Sequence, residues 1–378
     1  MSARLHPAGQ RQVRGFTLIE LMVGMVIGLL TTIVIAQVLV SSESRRRTTV
    51  AGTEATTNGA LALYAVQRDV QMAGYGLTSA VDGLGCEIRS SFNGVVQPAL
   101  TLAPVVITAG TAGAPDSLLT LGSAKLSYSV PSRVVTNHPR TAANFFVNTT
   151  LATTDGDLML AVPGVIDANN WCSVFNVTGI GGASQIIHNP GSSGPWNQPG
   201  GQTIFPALGY GTVGAYAADL TKGSYLINLG QFVTRRVQIS ANQVLQSVTY
   251  STVTASTGLP EDLFPDIVNL QAFYGKDTDA NGVVDTYDKV APTTSAGWRQ
   301  VLSVRIAVVA RSVQMEKEDV TGTQPLWDVG TATTVAGSAN CGSSQCVTIV
   351  VNTLPDWQRY RYKVYDTIVP LRNMLWRS

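Results

Sequence analysis

The segment Gly15-Phe16-Thr17-Leu18-Ile19-Glu20 runs straight into an apolar stretch that continues to Val40. Everything else in the architecture is referred to it. Phe16 to Val40, taken as a helix at 1.5 Å per residue, is about 37 Å long, more than the roughly 30 Å of a bilayer core. The segment therefore predicts a membrane-spanning helix over 16–40. Residues 1–15 ahead of it are short, carry Arg4, Arg11 and Arg14, and contain no acid. They read as a leader. The pattern is not that of an ordinary secretory signal, because the apolar run follows the apparent cleavage point and no A-x-A-like site comes after it. Glu20 is the anomaly. An acid within a membrane span is expensive and is read first as functional, and the free amine of a neighbouring subunit would suit it as a partner.

These residues resemble the processing motif of type IV prepilins and pseudopilins: glycine, phenylalanine, then glutamate at the fifth position after the glycine. The resemblance implies cleavage between Gly15 and Phe16 by a prepilin peptidase, methylation of the new amine on Phe16, and an assembly salt bridge from Glu20 to the N-terminus of an adjacent subunit. Such a pair in a dry helix bundle strands one charge if the other is removed. Gly24 and Gly28 form a GxxxG pair, which lets two membrane helices approach closely. Major pilins usually carry a helix-kinking proline in this segment. Here the first proline after the leader is Pro98, which favours a minor subunit. Arg45, Arg46 and Arg47 nearly balance the leader's arginines, so the placement of the leader in the cytoplasm rests on the motif and not on the positive-inside rule.

The chain has 378 residues, a net charge of +1, 13% charged and 45% hydrophobic residues, and 36 glycines. The balance offers no basic field for nucleic acid. The abundance of glycine points to short strands and turns beyond the first helix. Four cysteines, Cys86, Cys172, Cys341 and Cys346, suggest disulfides in an exported domain. Cys341 and Cys346 are close enough for a local bridge, which would leave Cys86 with Cys172. Three pairings remain open from the sequence.

Residues 41–76 read as an amphipathic continuation of the helix, with Leu63, Val66, Val70 and Ala73 on one face. Gly52, Asn58 and Gly59 are expected to bend or loosen it, and Gly74-Tyr75-Gly76 to end it. Residues 77–378 read as a β-rich exported domain. Strands are predicted at Ser117–Val130, Gly156–Val162, Ile267–Tyr274 and Val301–Ala310, and a hairpin at Phe232–Ser240 with Val244–Tyr250. Residues 179–201 read as a long loop, in which Trp196 contacts a partner or covers a local apolar patch. On Val301–Ala310, Val304, Ile306, Val308 and Ala310 share one face and Ser303, Arg305 and Arg311 the other, predicted to be solvated.

The blocks Asp266-Ile267-Val268-Asn269-Leu270-Gln271-Ala272-Phe273-Tyr274-Gly275, Arg305–Ser312, Arg361–Tyr365 and Asp69–Tyr75 resemble the PilW family of type IV pilus minor pilins. The resemblance covers 15–80 and 262–378. It implies an α+β, pilin-like fold: a long N-terminal helix, half transmembrane and half amphipathic, packed on an antiparallel sheet domain with a large β- and loop-rich insertion. It also implies partners: other minor pilins, the major pilin, the prepilin peptidase, and a large pilus-tip adhesin. The expected location is the inner membrane with the C-terminal domain in the periplasm, then the pilus tip or fibre.

Asp277, Asp279, Asn281, Asp285 and Asp288 occupy positions 1, 3, 5, 9 and 12 of a twelve-residue calcium loop, with glycine at position 6 and the Val283 carbonyl at position 7. Asp288 replaces the usual bidentate glutamate, so Ca²⁺ would be held weakly. No zinc spacing, nucleophile elbow, HExxH or P-loop is present, and the histidines beyond the leader are His138 and His188. An enzyme is therefore not expected. The predicted function is a minor pilin that helps prime or cap pilus assembly. The alternatives are a bulky pseudopilin of a type II secretion system and a pilus-tip adhesin.

Overall fold

A computed structural model describes residues 15–125, 130–191, 193–198, 203–334 and 339–375. The leader's first fourteen residues lie outside the described set. One α-helix runs from Leu18 to Met72. The chain forms two compact units, 1–53 and 54–378. In the first, Leu18–Glu43 is a 26-residue apolar segment of mean hydropathy 2.4, with its side chains exposed. Two of its hydroxyls are satisfied within the helix, Thr31 Oγ1 donating to the Ile27 carbonyl and Thr32 Oγ1 to the Gly28 carbonyl. A lipid-embedded helix requires such internal partners.

The helix assignment continues through Gly52, Asn58 and Gly59 without a break. At Gly59 the packing is close. A Cβ at this position would run into the ring of Tyr365, so the missing side chain lets the helix lie against a strand. Ala62, Val66, Val70 and Ala73 recur at helical spacing and are all buried. They pack on Leu270, Ala272, Tyr274, Val304, Ile306, Val308 and Ala310. Fully burying a valine there is worth roughly 1.5–3 kcal/mol. Asp69 on the same helix segment accepts from Arg235 at 3.0 Å.

That surface belongs to a four-stranded carboxy-terminal sheet, ordered Thr286–Asp288, Ile267–Lys276, Val301–Arg311, Tyr362–Pro370, all antiparallel. The register places Leu270 opposite Val308, Ala272 opposite Ile306 and Tyr274 opposite Val304, so one face of both strands meets the helix. The other face, predicted to be solvated, is covered. A three-stranded sheet, Leu326–Gly330, Ser344–Thr348 and Ala339–Cys341, lays Trp327, Val329, Ile349 and Val351 over Phe273, Ala307 and Val309. Arg305 donates to the carbonyls of Val329 and Asp328 and to Asp366.

Among the described residues the unit also holds two six-stranded sheets, a second three-stranded sheet and a two-stranded one. The central sheet holds Val105–Thr108, Ser117–Ser123, Phe232–Ile239 and Val244–Ser251 as neighbours, so the expected hairpin is present. Of the strand predicted over 117–130, a strand is present from Ser117 to Ser123, whose amide donates to the Tyr75 carbonyl; residues 126–129 lie outside the described set. The insertion sheet runs Leu100–Thr101, Glu87–Arg89, Cys172–Asn176, Leu158–Val162, Tyr225–Gly230, Ser132–Arg133. One pair in it is parallel, Ile88 opposite Cys172. Both faces are buried: Leu158, Leu160 and Val162 point to the central sheet, and Met159 and Ala161 to a second core built on Phe145, Phe175, Phe205 and Tyr210.

Within 179–201, expected to be loop, Gly179–Gly181 and Gln185–Ile187 form a hairpin. Trp196 is not on the surface but 6% exposed. Its ring meets Phe92 edge-on at 5.2 Å and its indole N–H donates to the Thr252 carbonyl at 2.9 Å. Two disulfides are formed, Cys86–Cys172 and Cys341–Cys346, with Cα separations of 5.8 and 5.6 Å.

Candidate functional site

At the head of the helix, Thr17 and Glu20 satisfy each other. The Thr17 amide and hydroxyl both donate to Glu20 Oε2 at 2.9 Å, and the Glu20 amide donates to Thr17 Oγ1 at 3.2 Å. This is a capping box, a Thr-x-x-Glu pair that meets the orphan donors of a helix start. Among the described residues Glu20 touches no cation. Its second carboxylate oxygen is therefore available to one arriving from outside the chain. Phe16 is 88% exposed. A Cβ at Gly15, Gly24 or Gly28 would meet nothing within 4 Å, so the GxxxG face is open.

The acidic loop lies between the strands Ile267–Lys276 and Thr286–Asp288, which form a hairpin. No helix pair flanks it. Asp277, Asp279 and Asp285 offer carboxylate oxygens that all lie within 4.8 Å of one another. Asp277 is buried and accepts from the amides of Asn281 and Gly282 at 3.1 and 2.8 Å. Asn281 donates to Asp279, and the Val283 amide donates to the Asn281 side-chain oxygen. Gly282 takes the tight turn at φ 85. The amide and hydroxyl of Thr278 hold the Asp285 carboxyl below its usual range. Asp288, the expected twelfth-position ligand, is placed elsewhere. It sits opposite Tyr274 on the strand, and Lys276 holds its two oxygens at 2.7 and 2.9 Å. The loop thus gathers three of the four predicted carboxylates. Three such groups repel one another in the absence of a cation. Their oxygens and a sharp glycine turn are the donor set that a hard divalent ion takes.

Two clusters escaped the sequence reading. His138 and His188, fifty positions apart, meet Nε2 to Nε2 at 2.9 Å inside the aromatic core of the insertion. His138 stacks on Phe145 at 3.7 Å between ring centroids. Burial lowers His138 to about 4, and burial and the neighbouring His138 lower His188 to about 3. No local pattern could have paired them. Asp116, fully buried, accepts from Lys289 at 2.7 Å and from the amides of Gly110 and Ala272, so the residue just past the acidic loop is tied into the core. Asp157, of the Asp-Gly-Asp turn, is held by Lys125 at 2.6 Å and by Asn228, which gives it a structural part.

Residues 232–373 match the family model PilW, described as type IV pilus-assembly protein W. Residues 10–36 match that of the prokaryotic N-terminal methylation motif. The first match begins at the central-sheet hairpin, earlier than the residue 262 expected. No curated protein matches the chain. Among solved structures, a type IV-like pilin from Thermus thermophilus is similar at a TM-score of 0.32 and 9% identity, over 84% of this chain and 97% of that one.

Proposed function

We propose that this chain, whose residues 10–36 and 232–373 match the methylation-motif and PilW models, is a type IV minor pilin with a part in priming or capping pilus assembly within a membrane-anchored tip complex. The observation that carries the reading is the pairing of two features in one chain. One is an exposed 26-residue apolar helix headed by the processing motif. The other is a PilW domain whose sheet packs on Ala62, Val66, Val70 and Ala73, all within the compact unit that begins at Glu54.

In this reading the prepilin peptidase cuts between Gly15 and Phe16 and methylates the Phe16 amine. Glu20 then accepts the positively charged N-terminus of a neighbouring pilin, in a bundle where Gly24 and Gly28 allow close approach. The partners are other minor pilins, the major pilin and a tip adhesin, and the carboxy-terminal unit faces the periplasm before assembly. The role is one of structure and not of catalysis.

A clean gene deletion tests it, scored together for surface pili with twitching motility and for secreted exoproteins. Loss of pili with normal secretion, restored by wild type and not by Glu20→Ala, is the expected result. Normal pili with blocked secretion would move the protein to the type II secretion pseudopilins.

The acidic loop supports a second proposal, that Asp277, Asp279 and Asp285 with Asn281 hold a calcium ion that pins the hairpin. The observation behind it is the convergence of three carboxylates around one point. With Asp288 engaged by Lys276, affinity in the millimolar range of extracellular modules is expected. Calorimetry should show calcium uptake that Asp277→Ala and Asp279→Ala abolish. Absence of uptake at millimolar calcium would refute it.

A further inference from the structure

The central sheet and the insertion sheet do not close on each other along their whole length. Where they diverge they leave a cavity of about 400 Å³, within the size range of small-ligand sites. One wall is the outward face of the strand Phe232–Ile239. Side chains two apart share a face on a strand, so Phe232, Thr234, Arg236 and Gln238 all line the cavity. The opposite wall is apolar, supplied by Ile88, Leu158 and Val174 of the insertion sheet. Trp196 also lines it, with its indole N–H already engaged by Thr252. Ser90, Gln97, Tyr250, Thr252 and Thr257 add polar groups to the lining, and apolar matter seated against the apolar wall is removed from water.

The cavity has a polarity axis. Phe232 and Thr234 are buried, and Arg236 two residues on is exposed. From Phe232 to Arg236 is about 13 Å along the strand at 3.3 Å per residue. Among the lining residues Arg236 alone is charged. Its neighbour Arg235 points the other way and is paired with Asp69 at 3.0 Å. Arg236 has no ion partner among the described residues. A single guanidinium without an ion partner at the edge of a cavity with an apolar wall is complementary to an apolar chain that ends in a carboxylate, which a guanidinium grips with two parallel hydrogen bonds.

We infer that this cavity is a binding site for an amphiphilic carboxylate of the fatty-acid type, its chain between the two sheets and its head on Arg236. Full-length protein in lipid nanodiscs, exposed to a diazirine-bearing decanoic acid, irradiated and mapped by peptide mass spectrometry, tests the assignment. Label on the membrane helix Leu18–Glu43 reports partition into lipid and serves as the internal reference. The expected result is additional label on the strands around Leu158, Val174 and Val248, competed by unlabelled decanoate. Arg236→Gln, a change at an exposed position, should cut this label roughly tenfold, the loss of one charge-assisted bond, and leave the helix label unchanged. The corresponding diazirine-bearing alcohol should label wild type and Arg236→Gln alike. Val248→Trp, which fills the space, should remove the cavity label of both probes. Label confined to the helix would overturn the proposal. So would cavity label indifferent to Arg236→Gln, because the space would then be a non-selective apolar gap or a socket for a partner's side chain.

Discussion

At the scale of single residues, the structure gives Glu20 a task the sequence reading did not assign. Thr17-x-x-Glu20 is a capping box, and its signature was there to be read. The membrane context drew attention to the charge instead. The two roles can be separated. Glutamine serves at the third position of a capping box as well as glutamate does, yet carries no charge. Glu20→Gln should therefore leave the helix start intact and still fail to restore pili to a deletion strain, as Glu20→Ala does. Normal piliation with Glu20→Gln would assign the residue to the cap alone. The histidine pair gives a second prediction at this scale. Both rings are neutral in the folded chain, with values lowered to about 4 and about 3. An unfolded histidine binds its proton near 6.5. Between those limits the unfolded chain holds more protons, so stability is full above about pH 6.5 and falls progressively as the pH drops through about 4. Urea midpoints measured from pH 7 to pH 4 should decline, and His138→Phe should flatten the decline over that window. An unchanged pH slope in the variant would show that other groups govern it.

At the scale of elements, the two disulfides differ in what they constrain. Cys86–Cys172 spans a sequence separation of 86 and Cys341–Cys346 one of 5. The loop-closure estimate gives about 4.6 kcal/mol for the first and about 2 kcal/mol for the second. Replacing Cys86 and Cys172 by alanine should lower the unfolding free energy by roughly twice as much as replacing Cys341 and Cys346, in denaturant titrations of the oxidised proteins. Equal losses would mean that the long bridge does not restrict the unfolded chain as its span implies. The same scale shows where the sequence was readable. Val66, Val70 and Ala73 fall on one helix face by spacing alone, with Leu63 only partly buried and Ala62 taking the position expected for it, and Val304, Ile306, Val308 and Ala310 fall on one strand face. The opposite strand face carries Ser303, Arg305 and Arg311, and alternation of that kind reads as solvent contact. Its cover, Trp327, Val329, Ile349 and Val351, comes from later segments whose position no local pattern reveals. Of the two readings of Trp196, the structure bears out the cover of an apolar patch and not an exposed contact. Glycine, proline and serine around it report a loop, but its burial depends on Phe92 and Thr252, distant in sequence.

At the scale of the whole molecule, the acidic loop and the N-terminal motif were legible because each is contiguous and its residue types are dictated by local geometry. The insertion sheet, the histidine pair and the cavity were not, because each is assembled across fifty positions or more. The division of the chain carries the last prediction. Among the described residues, the buried set begins at Ala55, and the compact carboxy-terminal unit begins at Glu54. A chain starting at Glu54 retains Ala62, Val66, Val70 and Ala73, and with them the cover of the carboxy-terminal sheet. It also retains Asp69, which holds Arg235 of the central sheet. A chain starting at Gly74 loses all of these and leaves the inner faces of Ile267–Lys276 and Val301–Arg311 open to water. Burial of the two valines alone is worth roughly 3–6 kcal/mol, a large share of the 5–15 kcal/mol that keeps a typical domain folded. Expressed in an oxidising compartment, the chain from Glu54 should be soluble, with near-ultraviolet dichroism of fixed aromatic packing and a cooperative thermal transition. The chain from Gly74 should aggregate or lose that signal. If the two melt alike, the lower half of the helix is an accessory to the sheet and not part of its core.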